Sequence, residues 1–166
     1  FVHFDIPYLY RWEYGEENLL KESVASLEKQ IAYEGPGNIA AILLEGESGS
    51  SGCLQYPKGY LKAVRQICDN HGILLIIDEV MSGFGRTGKW FGFQNHDIVP
   101  DMITMAKGLT CGYLPLGCLM VSDKIVAKYD DAVMPLGHTY SAHPVSLAAA
   151  LATLKIYEED NLIENA

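Results

Sequence analysis

"ILLIIDEVMSGFGRTGKW" (residues 73–90) decides how the chain is read. Five aliphatic residues, Ile73 to Ile77, run into Asp78 and Glu79, and three glycines follow at 83, 85 and 88. A short apolar run bounded by breakers predicts a buried strand. Its acidic end and glycine loop fit three kinds of site. These are the acid-ended strand of an ATPase, a dinucleotide-binding turn, and a carboxylate held at a strand tip for a cofactor.

The flanking sequence supplies the frame for that strand. In residues 16–33, Leu19, Leu20, Val24, Leu27 and Ile31 recur at helical intervals between charges, which predicts an amphipathic helix. "EGPGN" ends it, and "IAAILLEG" predicts a buried strand finishing near Glu45. A second helix is expected from Pro57 to just before Gly72, with Leu61, Val64, Ile67 and Cys68 on its apolar side. Residues 101–106 predict a strand ending at Lys107, and residues 116–122 another. Asp123 opens a short helix, and Pro144 stands in the first turn of a long one rich in Ala and Leu. Apolar strands alternating with helices predict an α/β fold, a largely parallel sheet with flanking helices. In such sheets ligands sit at the carboxyl ends of the strands. Glu45, Asp78 and Lys107 all fall there.

Composition narrows the field. A chain of 166 residues suffices for one domain that buries about two-thirds of its unfolded surface. With 21 acidic against 12 basic residues the net charge is -9, and no basic run occurs, so nucleic acid and anionic membranes are poor partners. No apolar stretch approaches the roughly 20 residues of a membrane span, and no secretory pattern opens the chain. Cys53, Cys68, Cys111 and Cys118 form no C-x-x-C pair, which favours reduced thiols in a cytoplasmic protein. His138 and His143 are badly spaced for one helix face, so no metal site is expected. The chain opens on "FVHFDIPYLYRW" and closes in helical sequence, as though it were cut at both ends.

The three readings separate on chemistry. "GFGRTGK" satisfies G-x-x-x-x-G-K, but Trp90 follows where a hydroxyl must reach magnesium, and the loop comes after the acid-ended strand instead of before it. Gly83, Gly85 and Gly88 satisfy G-x-G-x-x-G, yet "KWFGFQNHDIVPD" has no helical period to aim amides at a pyrophosphate. Asp78 could also be no more than a polar cap on a buried strand. The third reading needs an amine, and Lys107 follows "MITMA" with no charged helix around it. An apolar rim would favour its neutral form, as Schiff-base chemistry requires. A carboxylate about 4 Å from a ring nitrogen contributes roughly 4 kcal/mol toward keeping that nitrogen protonated, at an effective dielectric near 20. Such a ring is an electron sink.

"LLIIDEVMSGFGRTGKWFGF", "DIVPDMITMAKGLTCGYLPLG" and "GHTYSAHPVSLAAALATLKIYEEDNLIENA" together resemble class III pyridoxal phosphate-dependent aminotransferases, the ω-aminotransferase group of fold type I. The resemblance runs from about Tyr10 onward. It implies the central part of a fold type I large domain, with pyridoxal 5'-phosphate as cofactor and small amines and keto acids such as pyruvate as substrates. It also implies a homodimer or larger homo-oligomer. Lys107 would form the internal aldimine and move the substrate proton, Asp78 would pair with the pyridine nitrogen, and Val80 would lie on a ring face. Thr139, with the amide around His138, would reach the phosphate of the neighbouring subunit. Glu45 would hold a supporting carboxylate near the site.

Three departures stand out. Glu45-Gly46 replaces the usual Glu-Pro, which suggests a more mobile loop. Met81 stands where many members have Gln, and family members are more than twice as long. Arg86 is read as a structural donor to nearby carbonyls. "KWFGF" and "YLYRW" are read as core or subunit interface. Two classes of function follow: the transaminating enzyme, or a non-catalytic truncated remnant that folds and self-associates without turnover.

Overall fold

Leu19, Leu27 and Ile31 line one side of α1 (Glu16–Glu34) and are buried, and Gly35, at φ 81°, ends the helix. The computed structural model describes residues 1–166. β1 (Ala41–Glu45) follows. α2 (Tyr60–His71) begins later than Pro57, because Gly59 takes φ 90°, a left-handed conformation that no helix accommodates. Pro57 instead accepts the Tyr60 N–H at 3.0 Å. Gly72, at φ 68°, closes the helix by donating to the carbonyls of Asp69 and Cys68.

β2 (Leu74–Asp78), β3 (Met102–Met105) and β4 (Cys118–Val121) complete a sheet in the order β1-β2-β3-β4. The first three strands are parallel, and β4 runs antiparallel to β3. The chain ends in α3 (Asp123–Val126), α4 (Pro144–Glu159) and α5 (Leu162–Asn165). No helix is long and apolar enough to cross a membrane.

Alternation along the strands sorts the side chains. Ile42, Leu44, Leu75, Ile77, Ile103 and Met105 are buried with Leu27 and Ile31 of α1 and with Leu61, Val64 and Ile67 of α2. The alternate set, with Leu43, Glu45, Ile76, Asp78 and Thr104, is half-buried or exposed. Register pairs Glu45 with Asp78 and Asp78 with Thr104, so these three polar residues share one face at the carboxyl rim. The glycine loop carries no helix after Gly88. The next element is a 3-10 turn, Gly92–His96, and Trp90 packs against the core. No helix follows the glycines to bind a pyrophosphate, and the position after Lys89, where a magnesium-binding hydroxyl would stand, is Trp90.

Candidate active site

Asp78 ends β2, and its Oδ1 accepts the Val80 N–H at 2.8 Å. The chain places no donor on its other oxygen. Beside it, Glu45 accepts from the Ser50 hydroxyl, which ties the loop after β1 to the rim. Lys107 starts the 3-10 turn Lys107–Leu109 just past β3, with φ 43°, a left-handed conformation that side chains rarely adopt. Such residues cost on the order of 1–3 kcal/mol and cluster at functional sites. The amine is exposed, whereas the apolar flanks had predicted a desolvated setting, because the turn opens onto a cavity and not into the core. Its Nζ sits 2.6 Å from the Met81 sulfur.

That cavity, of about 740 Å³, is lined by Lys107, Val80, Met81, Arg86, Cys111 and Tyr157 among others. Its size suits a small-molecule site. Arg86 is exposed toward this space and is not tucked against loop carbonyls, which corrects the structural role expected for it. His138 lines a different cavity, together with Leu109 and Leu116, and Thr139 is exposed beside it. The structure therefore brings Lys107 and Val80 to one space, sets Glu45 beside Asp78 at the rim, and leaves His138 and Thr139 apart from Lys107 within a single chain.

A family model for Aminotransferase class-III matches residues 1–166. The chain belongs to the class-III aminotransferases. An omega-aminotransferase of Caulobacter vibrioides is 49% identical over 145 residues, covering 84% of this chain and 33% of the relative. A taurine–pyruvate aminotransferase of Bilophila wadsworthia is 38% identical over 164 residues, covering 95% and 36%. Among solved structures, the taurine:2-oxoglutarate aminotransferase from Bifidobacterium kashiwanohense, in complex with PLP and glutamate, superposes with a TM-score of 0.94 at 44% identity. It covers 98% of this chain and 37% of its own. An amine transaminase from an uncultivated Pseudomonas species, in its PLP-bound internal aldimine form, gives 0.92 at 39% identity, covering 98% and 38%. The architecture is therefore that of fold type I transaminases. The chain spans about a third of the length of the curated relatives it matches.

The residues of this class-III aminotransferase chain fit the cofactor named in those two structures. Pyridoxal phosphate asks for an amine to meet its aldehyde, a carboxylate oxygen for its ring N–H and an apolar side chain for its ring face. Lys107 and Val80 on the cavity wall, and the unengaged oxygen of Asp78 on the neighbouring strand tip, are the groups of this chain that would meet those demands.

Sequence reasoning gave no role to three residues that shape this site. Glu79 is fully buried, and its carboxylate accepts from Ser82 Oγ at 2.6 Å and from the N–H groups of Gly92 at 2.8 Å and Phe93 at 2.9 Å. A Cβ on Gly46 would lie 2.5 Å from Glu79 Oε1, and one on Gly92 would lie 2.9 Å from Ser82 Cβ. Gly46 is thus buried, and its N–H donates to the Asp78 carbonyl at 3.1 Å, so this residue is pinned and not mobile. Phe84 presses on Gly108, where a Cβ would lie 2.8 Å from the Phe84 Cβ. Tyr157 of α4 donates its hydroxyl to the Gly108 carbonyl at 3.2 Å. Burial pushes that hydroxyl up to about 12, aided by Cys111 and opposed by Arg86, so at neutral pH it remains a donor. A buried Glu beside small residues was the available signal. The Tyr157 contact joins residues 49 positions apart and leaves no local pattern.

Proposed function

We propose that the protein carries out pyridoxal phosphate-dependent transamination, moving an amino group from an ω-amino acid or amine to a keto acid such as pyruvate. The observation that carries this reading is the cavity where the Lys107 amine meets Val80, Met81 and Arg86, with Asp78 on the strand tip two residues before Val80 and bonded to its N–H. The cofactor supplies an aldehyde and an electron-accepting ring. Lys107 Nζ would be the amine that holds the cofactor, and the same nitrogen would serve as the base that takes and returns the proton at the substrate Cα. Asp78 would hold the proton on the ring nitrogen, and Val80 would cover a ring face. Glu45, anchored through Ser50, keeps the neighbouring strand tip polar and ordered. Arg86 offers a positive charge at the cavity wall. The separation of His138 and Thr139 from Lys107 supports their use on the phosphate held by a partner subunit, in a homodimer or larger oligomer. The omega-aminotransferase name of one relative, and the taurine and pyruvate named for another, support the donor and acceptor classes.

The test is covalent mapping. The protein is mixed with pyridoxal phosphate, reduced with borohydride and digested, and the pyridoxyl group is located by mass spectrometry. It should sit on Lys107, and Lys107→Ala should carry none. Attachment elsewhere, or nowhere at saturating cofactor, overturns the reading. For the 166 residues alone, a second reading draws support from the exposed Leu147 and Leu151: a non-catalytic remnant that folds and self-associates without turnover. A tight stoichiometric adduct with alanine formation from pyruvate decides against that second reading.

A further inference from the structure

We infer that Met81 is an oxidation-sensitive modification site whose sulfur, once oxidised by a peroxide, withholds the Lys107 amine from bond formation. The inference rests on the reading of Lys107 given above. Its structural basis is the position of the sulfur. Met81 Sδ lies 2.6 Å from Lys107 Nζ, and Met81 is 40% exposed at the wall of the cavity that Lys107 also lines. Its stem is pinned, because a Cβ on Gly49 would lie 2.8 Å from Met81 Cβ and 3.2 Å from its Cε. The side chain therefore runs across a bare stretch of the loop after β1 and delivers its sulfur to the amine. Among the other four methionines, Met102, Met105, Met120 and Met134, none is hydrogen-bonded to Lys107.

The chemistry balances without a metal. A lone pair on the Met81 sulfur attacks one oxygen of hydrogen peroxide. An S–O bond forms as the O–O bond breaks, and the leaving hydroxide takes a proton to become water. Sulfur gives up two electrons, and the peroxide accepts them. A thioether is a weak acceptor, but a sulfoxide is polar and its oxygen accepts strongly. Held where the thioether was, that oxygen takes a hydrogen bond from the Lys107 ammonium and favours the charged amine over the neutral one. The neutral amine is the form that attacks an aldehyde. One net hydrogen bond corresponds to about a two- to tenfold slowing of capture. Reversal needs the two methionine sulfoxide reductases, one for each epimer, with a dithiol that supplies two electrons and two protons, so that the oxygen leaves as water and the thioether returns.

The experiment follows the rise of the absorption band of lysine-bound cofactor after pyridoxal phosphate is added, before and after graded hydrogen peroxide. The added oxygen on the peptide carrying Met81 is quantified in parallel. Cys111 shares the cavity, so Cys111→Ser is run beside the parent protein. The rate should fall two- to tenfold in proportion to Met81 sulfoxide in the parent and in Cys111→Ser. Reductase treatment should restore it, and Met81→Leu should show the same rate with and without peroxide. Complete Met81 oxidation with an unchanged rate overturns the inference, as does an equal slowing in Met81→Leu. If that variant fails to fold, reductase repair of the parent decides alone: recovery supports the inference and no recovery overturns it. A band that never forms before peroxide is added overturns the reading of Lys107 together with this inference, whereas a band indifferent to Met81 oxidation overturns this inference only.

Discussion

Asp78 and Glu79 are adjacent acids with opposite settings. Asp78 is half-buried at the open rim with one oxygen unengaged, while Glu79 is sealed and accepts three hydrogen bonds. A buried donor stripped of its partner costs about 1–3 kcal/mol, so Glu79→Ala, which strands three, should lower stability by roughly 3 kcal/mol or more. Urea-unfolding midpoints measure this. Gly46→Ala should cost about 1–3 kcal/mol for the same reason seen from the other side, because the new methyl meets Glu79 Oε1 at 2.5 Å. The two effects share one contact, so they should not add. In the Glu79→Ala background, Gly46→Ala should cost much less. Additive losses would mean that Gly46 is small for a reason unrelated to Glu79. The Glu-Gly pair at 45–46, read from sequence as a looser loop, is therefore a close approach of backbone to a buried carboxylate.

Between elements, Asp101 plays the corresponding part. It stands just before β3, accepts the Leu75 N–H of β2 at 2.8 Å and takes Arg65 Nη1 of α2 at 2.8 Å. Burial alone would push its carboxyl up, but the Leu75 N–H and the Arg65 guanidinium outweigh this and hold it below the usual carboxylate range. A carboxyl depressed in the folded state contributes stability that is present above its unfolded value, near pH 4, and is lost as pH falls through the lower folded value. Asp101→Asn should therefore be less stable than the parent at pH 7, by about 1–3 kcal/mol, because Arg65 loses one of its two carboxylate partners and keeps Asp69. The gap should close as pH drops below about 4, which acid-limb thermal melts follow; a constant gap would show that charge is not the cause. At this scale the sequence was largely readable. The apolar periods of α1 and the continuous runs of β1 and β2 are physical signals, and all three elements formed where expected. The start of α2 was missed because proline at a helix start is a local preference, whereas the left-handed Gly59 that delays it answers to packing. The strand-end positions of Glu45, Asp78 and Lys107 were readable for a similar reason, since strand ends follow from the apolar runs. The Tyr157–Gly108 and Arg65–Asp101 links were not, because they depend on how separate elements dock.

For the whole molecule, burial is one-sided. Parallel strands are normally covered on both faces, yet Leu43 in the middle of β1 is 55% exposed on the face away from α1 and α2. α4 repeats the pattern in reverse polarity. Its buried stripe is Ser146, Ala150 and Thr153, while Leu147 and Leu151 look outward, Leu151 at 69% exposure. A helix that buries its small residues and exposes its leucines has a second surface to cover. Contiguous apolar surface of this kind drives association. We expect the molecule to self-associate at micromolar concentration, with the outward side of α4 in the contact. Light scattering across a dilution series should show mass falling toward the monomer value on dilution. Leu151→Lys should shift that transition to higher concentration, roughly tenfold for about 1.4 kcal/mol of lost burial. The sheet face predicts a similar shift for Leu43→Lys. If both variants dissociate at the parental concentration, association runs through neither surface. If the parent is monomeric throughout, the exposed leucines are not an interface, and α4 must owe its outward polarity to some other contact.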